Sequence, residues 1–163
     1  MNIKLILNKL EKLILLLIAI LFTIMVVSLF LQIILRFIFK SANTWSEELT
    51  RYTFAWMVML GSSVALRRSR HMNVDYFIRR IPENVGKINF IIINLLIIVF
   101  LLAIIIHGIE LVSLTHKQLS PGMRIPMSYA YLAMPVGGIL MLLFTIELFF
   151  TNLRNKKYFK KEE

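Results

Sequence analysis

The stretch Thr44-Trp45-Ser46-Glu47-Glu48-Leu49-Thr50-Arg51-Tyr52-Thr53-Phe54-Ala55-Trp56 sets two carboxylates and an arginine at the head of an apolar run that continues to Leu66. Its setting decides whether it is the edge of a water-soluble helix or the mouth of a membrane crossing. Of the 163 residues 58% are hydrophobic and the mean hydropathy is +0.76, so too few polar side chains remain to cover a water-facing surface. The chain reads as an all-α membrane protein. With no cysteine, it has no disulfide, thiolate metal site or cysteine nucleophile. The net charge of +10 comes from short basic blocks between apolar runs rather than from a basic soluble domain, which points to anionic membrane lipids and not to nucleic acid.

Four stretches have the roughly 20 residues a helix needs to cross the hydrocarbon: Leu13 to Leu35, Trp45 to Leu66, Ile88 to Leu114 and Tyr129 to Phe150. Hydrocarbon offers no hydrogen-bond partners and no alternating strand pattern is present, so helices are expected. The first stretch follows Lys4, Lys9 and Lys12 like a secretory signal, but its apolar core is too long and no small-residue cleavage site follows, so it is expected to stay as an anchor. Every connection is short and the tail after Phe150 has 13 residues, which makes residues 1–163 a single membrane domain. Between the second and third spans, Val74, Phe77, Ile78 and Ile81 recur with helical spacing until Pro82. That is the pattern of a short interfacial helix.

Lysine and arginine are unevenly shared among these segments. Three precede the first span, six lie between the second and third, and five follow the fourth, fourteen in all. The opposite side gets the other five: Arg36, Lys40, Arg51, Lys117 and Arg124. The positive-inside bias puts both termini and the middle loop, with its interfacial helix, in the cytoplasm and the Glu47-Glu48 corner outside.

Two readings of the opening stretch stand side by side. Thr44 and Glu47 have the spacing of a capping box, Glu48 adds negative charge in the first turn, and Arg51 is within reach of either acid. Trp45, Glu48, Tyr52 and Trp56 also line up at i, i+3, i+7 and i+11, and a polar, aromatic stripe at membrane depth turns toward protein, either this chain's other helices or a partner. Trp45, Glu47, Glu48, Arg51, Tyr52 and Trp56 are therefore the candidate partner interface or structural polar cluster.

The remaining polar residues sort by level. Glu110, three residues after His107, is expected at the outer level with Arg36 and Arg51 as partners; Glu147 is expected at the inner level with Lys12, Arg67 and Arg68. No ionisable group is placed at mid-depth, where ion-coupled carriers keep theirs. Pro135 is expected to kink the fourth span, with Gly137 and Gly138 allowing close helix contact, and Gly61 with Ala65 forms a small-residue packing pair. His71 and Asp75 form an i, i+4 pair in the interfacial segment, better suited to a hydrogen bond than to a metal. A haem or quinone subunit built on His107 near Glu110 is a weaker alternative. No catalytic or nucleotide-binding motif is present, so neither enzyme activity nor a cofactor or metal is expected.

Trp45-x-Glu47-Glu48, Arg51-Tyr52, Trp56, Gly61, Arg67 and His71-x-x-x-Asp75, in this order and spacing, resemble the small permease subunit of tripartite ATP-independent periplasmic (TRAP) transporters, the DctQ type. Ile125-Pro126 and Tyr131-Leu132-Ala133-Met134-Pro135-Val136-Gly137 resemble the start of that family's fourth helix, while Ser128 stands where the family often carries Trp. The resemblance implies a subunit of a bacterial inner-membrane importer, together with a periplasmic binding protein and a large permease that holds the substrate and sodium sites. This subunit would be a fixed, non-catalytic scaffold for uptake of an organic acid. The alternative that the residues leave open is a stand-alone small homo-oligomeric carrier or channel.

Overall fold

The computed structural model describes residues 3–40, 44–68 and 83–154. The interfacial segment with His71 and Asp75 lies outside the described residues. Among the described residues five helices follow in order: α1 (Ile3–Phe37), α2 (Thr44–Arg68), α3 (Glu83–Thr115), the single-turn α4 (Ser128–Tyr131) and α5 (Ala133–Arg154). Among the described residues the only β pairing is one isolated bridge, Leu119 to Pro126.

Helix α2 lies between α1 and α5, and α3 packs on the other side of α5. The long helices alternate in direction. Arg67 at the end of α2 bonds Leu7 and Asn8 near the start of α1 and Glu147 near the end of α5. Phe90 of α3 stacks on Phe149 of α5 with ring centroids 6.0 Å apart, while Pro135 at the start of α5 lies against Gly108 late in α3. One end of the molecule therefore gathers Lys9, Lys12, Arg67, Arg68 and Lys87, and the other gathers Arg36, Lys40, Arg51, Lys117 and Arg124.

The buried apolar core is small for the size of the chain: Ile14, Leu60, Val64 and Phe144 form its centre, with Leu10, Ile18, Trp56 and Leu140 packed around it. Large apolar side chains such as Phe30, Leu96, Phe100 and Phe150 are mostly exposed. Water would penalise that surface at roughly 25 cal/mol per Å², but lipid does not. The exposed positions run the length of α1 and α3, where lipid would lie.

Among the described residues three segments are long and apolar enough to cross a membrane: Leu5–Phe37, Val85–Thr115 and Ser128–Leu153. The chain is thus a multi-pass membrane protein on that measure, with three such helices rather than the expected four. Helix α2 is not among them because Glu47, Glu48 and Arg51 share it with several hydroxyl residues. Those hydroxyls are satisfied inside the helix: Thr50 donates to Ser46 O at 2.9 Å, Thr53 to Leu49 O at 2.8 Å and Ser63 to Leu60 O at 2.7 Å. Its 25 residues would reach about 37 Å at 1.5 Å per residue, so length is not the obstacle.

Helix boundaries also run beyond the apolar runs. Helix α1 begins at Ile3, so Lys9, Glu11 and Lys12 sit on the helix rather than ahead of it. The segment expected as one helix from Tyr129 is interrupted at Leu132. Pro135 has no N–H to give the carbonyl of Tyr131 four residues back, so the ladder opens there, while Val136 N resumes it to Leu132 O at 3.1 Å. The two following glycines make close packing possible on both sides. A Cβ on Gly137 would stand 2.7 Å from Met59 Cβ of α2, and one on Gly138 2.9 Å from Ile105 Cγ1 of α3. Gly61 is different. A Cβ there meets nothing within 4 Å, so the Gly61 and Ala65 pair does not pack helices within this chain.

Candidate functional site

The ionisable residues among those described gather at the two ends of the molecule. At the end where α2 begins, Glu48 is buried and reaches across to the connection between α3 and α4. Its Oε1 accepts from Gly122 N at 2.7 Å and its Oε2 from Met123 N at 2.9 Å. Charge-assisted bonds of this kind are worth roughly 1.5–3 kcal/mol each. The connection is itself a tight loop, with Ser120 N bonded to Ile125 O at 2.9 Å, Met127 N to Gln118 O at 2.9 Å, and Arg124 in the left-handed region at φ 54°. Gly122 is required by proximity: a Cβ would lie 2.9 Å from Trp45 N and from Thr44 C.

The six candidate residues are therefore split by the rotation of α2. Glu48 and Trp56 turn inward, Trp56 donating from Nε1 to Tyr129 O at 2.9 Å. Glu47 and Arg51 turn outward and pair with each other at 2.9 Å, their side chains 58% and 67% exposed. Trp45 is also exposed, and Tyr52 is half-buried. Helix α2 begins at Thr44, and Glu47 Oε1, the acid of the expected capping box, accepts from Arg51 Nη2 at 2.9 Å. A groove of about 390 Å³ opens beside this pair, lined by Glu47, Arg51, Tyr52, Pro121, Met127 and Tyr131 among others.

At the opposite end Arg67, 8% exposed, is the hub. A guanidinium has five N–H donors, and each finds an acceptor. Nε and Nη2 bond the two Glu147 oxygens at 2.8 and 3.0 Å, Nη1 bonds Glu11 Oε2 at 2.6 Å and Leu7 O at 3.0 Å, and Nη2 also bonds Asn8 Oδ1 at 2.9 Å. Arg68 Nε takes the remaining Glu11 oxygen at 2.7 Å. Two cations and two anions thus form a neutral set that joins α1, α2 and α5, with the Phe144 ring 5.0 Å from the guanidinium carbon. Glu147 was legible by level as an Arg67 or Arg68 partner. Glu11 was missed, although as the one acid in α1 it carried its own signal.

Glu110 does not meet Arg36 or Arg51. Its Oε2 lies 3.3 Å from His107 Nδ1, with both side chains mostly exposed on α3, because α3 packs on α5 and is separated from α1 and α2. The His107 side chain points away from the core, unlike an axial ligand deep in a helical bundle.

Comparison with known proteins adds to this geometry. Residues 25–155 match the family model of the DctQ component of tripartite ATP-independent periplasmic transporters. The chain belongs to this family. A Haemophilus influenzae protein named as a TRAP transporter small permease is 31% identical over 116 residues, 71% of this chain and 70% of its own length. The sialic acid TRAP transporter small permease protein SiaQ of Vibrio cholerae is 28% identical over 128 residues, 76% of this chain and 71% of that one. The sialic acid TRAP transporter permease protein SiaT of Haemophilus influenzae is 32% identical over 111 residues, 68% of this chain but 18% of its own length. As a DctQ-family member with membrane-crossing helices, the chain is a transporter component of the inner membrane.

Proposed function

We propose that this chain is the small membrane subunit of a TRAP-type importer, a non-catalytic scaffold that packs against a large permease for sodium-coupled uptake of an organic acid delivered by a periplasmic binding protein. The observation that carries the reading is the uncovered face of α2. Glu47, Arg51, Phe54, Val58, Gly61 and Ala65 share an exposed or half-exposed stripe while the rest of the helix is enclosed by α1 and α5. Small residues and a polar pair on one stripe suit contact with another membrane protein, where close backbone approach supplies packing. The relative in which the matched region is 18% of the length is named a permease, which supports a protein in which the equivalent of this chain accompanies a larger part.

Several further features support a scaffold. Between Lys12 and Arg36, Arg51 and Arg67, Lys87 and His107, and Ala133 and Glu147 there is no Asp, Glu, Lys, Arg or His, so mid-depth offers no charge to couple an ion. The matched relatives include proteins named for sialic acid, isethionate and C4-dicarboxylate transport, which fits a subunit that leaves substrate choice to the large permease. In this reading α2 completes four crossings, Arg67 lies at the cytoplasmic end, and Trp45, Glu47, Glu48 and Arg51 lie at the periplasmic end as partner contacts and their support.

Affinity purification from a strain carrying a tag on this chain tests the proposal. A large permease recovered in equal amount with the chain supports it. Recovery of the chain alone as a homo-oligomer, from gentle detergent or nanodiscs, contradicts it.

A further inference from the structure

Where α1 begins and α2 ends, a groove of about 380 Å³ is lined by Leu5, Lys9, Glu11, Lys12, Leu15 and Arg68, among others. Its one acid is already spent. The two Glu11 oxygens accept from Arg67 and Arg68 at 2.6 and 2.7 Å, and Arg67 is further offset by Glu147. Lys9 and Lys12 remain exposed, with no carboxylate partner among the described residues. Arg68 also lines the groove, is 59% exposed and uses its Nε on Glu11, which leaves its two terminal nitrogens with no carboxylate partner among the described residues. The groove is thus cationic in excess of its own neutral ion set.

Its walls are apolar above and below that charge. Leu5 precedes Lys9 by four residues and Leu15 follows Lys12 by three, so cations and leucines share neighbouring stripes of α1. Beyond Leu15 the exposed surface of α1 is almost wholly hydrocarbon, including Leu16, Ile20 and Val27, and the one hydroxyl among them, Thr23, donates to Ala19 O at 2.9 Å. A free anion has no use for such a wall. A phospholipid does, since its head and tails need both kinds of surface within a few ångströms.

The geometry points to a binding site for one anionic phospholipid, its phosphate held by Lys9, Lys12 and Arg68 and its acyl chain laid along Leu15 and the exposed face of α1. The site would tie the α1–α2 corner to the lipid leaflet at that end. It rests on α1 crossing the membrane and not on the transport reading, so lipid binding and subunit partnership fail or hold separately.

Native mass spectrometry of the purified full chain with added phosphatidylglycerol or phosphatidylcholine tests it. The wild type is expected to retain phosphatidylglycerol about tenfold better than phosphatidylcholine, from two lysines each contributing several-fold. Lys9→Gln with Lys12→Gln should abolish that preference, Lys9→Arg with Lys12→Arg should keep it, and Lys117→Gln at the opposite end should leave it unchanged. All four chains should melt at similar temperatures because these lysines are exposed. Equal retention of the two lipids by the wild type, an undiminished preference in the double glutamine variant, or displacement of phosphatidylglycerol by millimolar inorganic phosphate would each overturn the site.

Discussion

The guanidinium of Arg67 and the carboxylate of Glu147 meet fork to fork, Nε to Oε2 at 2.8 Å and Nη2 to Oε1 at 3.0 Å, with 8% and 12% of their side chains exposed. The pair joins α2 to α5 across 80 residues of sequence. Removing one partner of a buried pair strands the other charge, which costs about 3–5 kcal/mol. Arg67→Ala, which strands Glu147, should destabilise the folded chain on that scale; Glu147→Ala should cost less, because Arg67 keeps its bond to Glu11, and the double variant should cost less than the sum. Arg68→Ala, whose side chain is 59% exposed, should cost under about 1 kcal/mol. Equilibrium unfolding of the purified variants checks the order.

Glu48 should hold the loop rather than a partner. Glu48→Gln replaces one acceptor oxygen with an NH₂ that faces a backbone N–H, so at least one of the bonds to Gly122 and Met123 is lost. At roughly 1.5 kcal/mol or more, the loss should speed amide exchange at residues 118–127 by about tenfold or more. Exchange in α1 should not change. Unaltered exchange in the loop would show that its own turn hydrogen bonds suffice.

How far these contacts were legible depends on what a helical sequence specifies. Apolar runs and charge asymmetry gave the order of the long helices, and depth along each axis brought Glu147 to Arg67. Rotation about the axis was not readable. Trp45, Glu48, Tyr52 and Trp56 share a spacing, yet neighbours decide which of them face inward, and the loop at Gly122 claims Glu48 while Tyr129 claims Trp56. For the same reason the partners assigned to Glu110 were wrong: equal level does not mean adjacent helices, and α3 is separated from α1 and α2. Arg51 was within reach of either acid by spacing, and it pairs with Glu47 because Glu48 is taken by the loop.

The glycines should separate internal packing from partner packing. Gly137→Ala places a methyl 2.7 Å from Met59 Cβ and should destabilise the isolated chain by about 1–3 kcal/mol. Gly61→Ala meets nothing within 4 Å and should be neutral or stabilising by up to about 1 kcal/mol through helix propensity. Gly61→Leu should spare the melting temperature of the chain alone and reduce its recovery with a large permease. Thermal melts of the chain and pull-down yields measure the two effects separately.

Arg51→Ala should weaken assembly with the large permease more than Lys117→Ala does. Arg51 sits on the uncovered α2 stripe beside the groove, whereas Lys117 is exposed on the loop after α3. Equal yields in quantitative pull-downs would remove Arg51 from the proposed interface.

Reconstitution into sealed liposomes under an inward sodium gradient tests the central claim most directly. The account predicts that organic-acid uptake appears when this chain, its large permease and the binding protein are present together, and that this chain alone gives no flux. Flux through this chain alone, or full uptake with the chain left out, would contradict it.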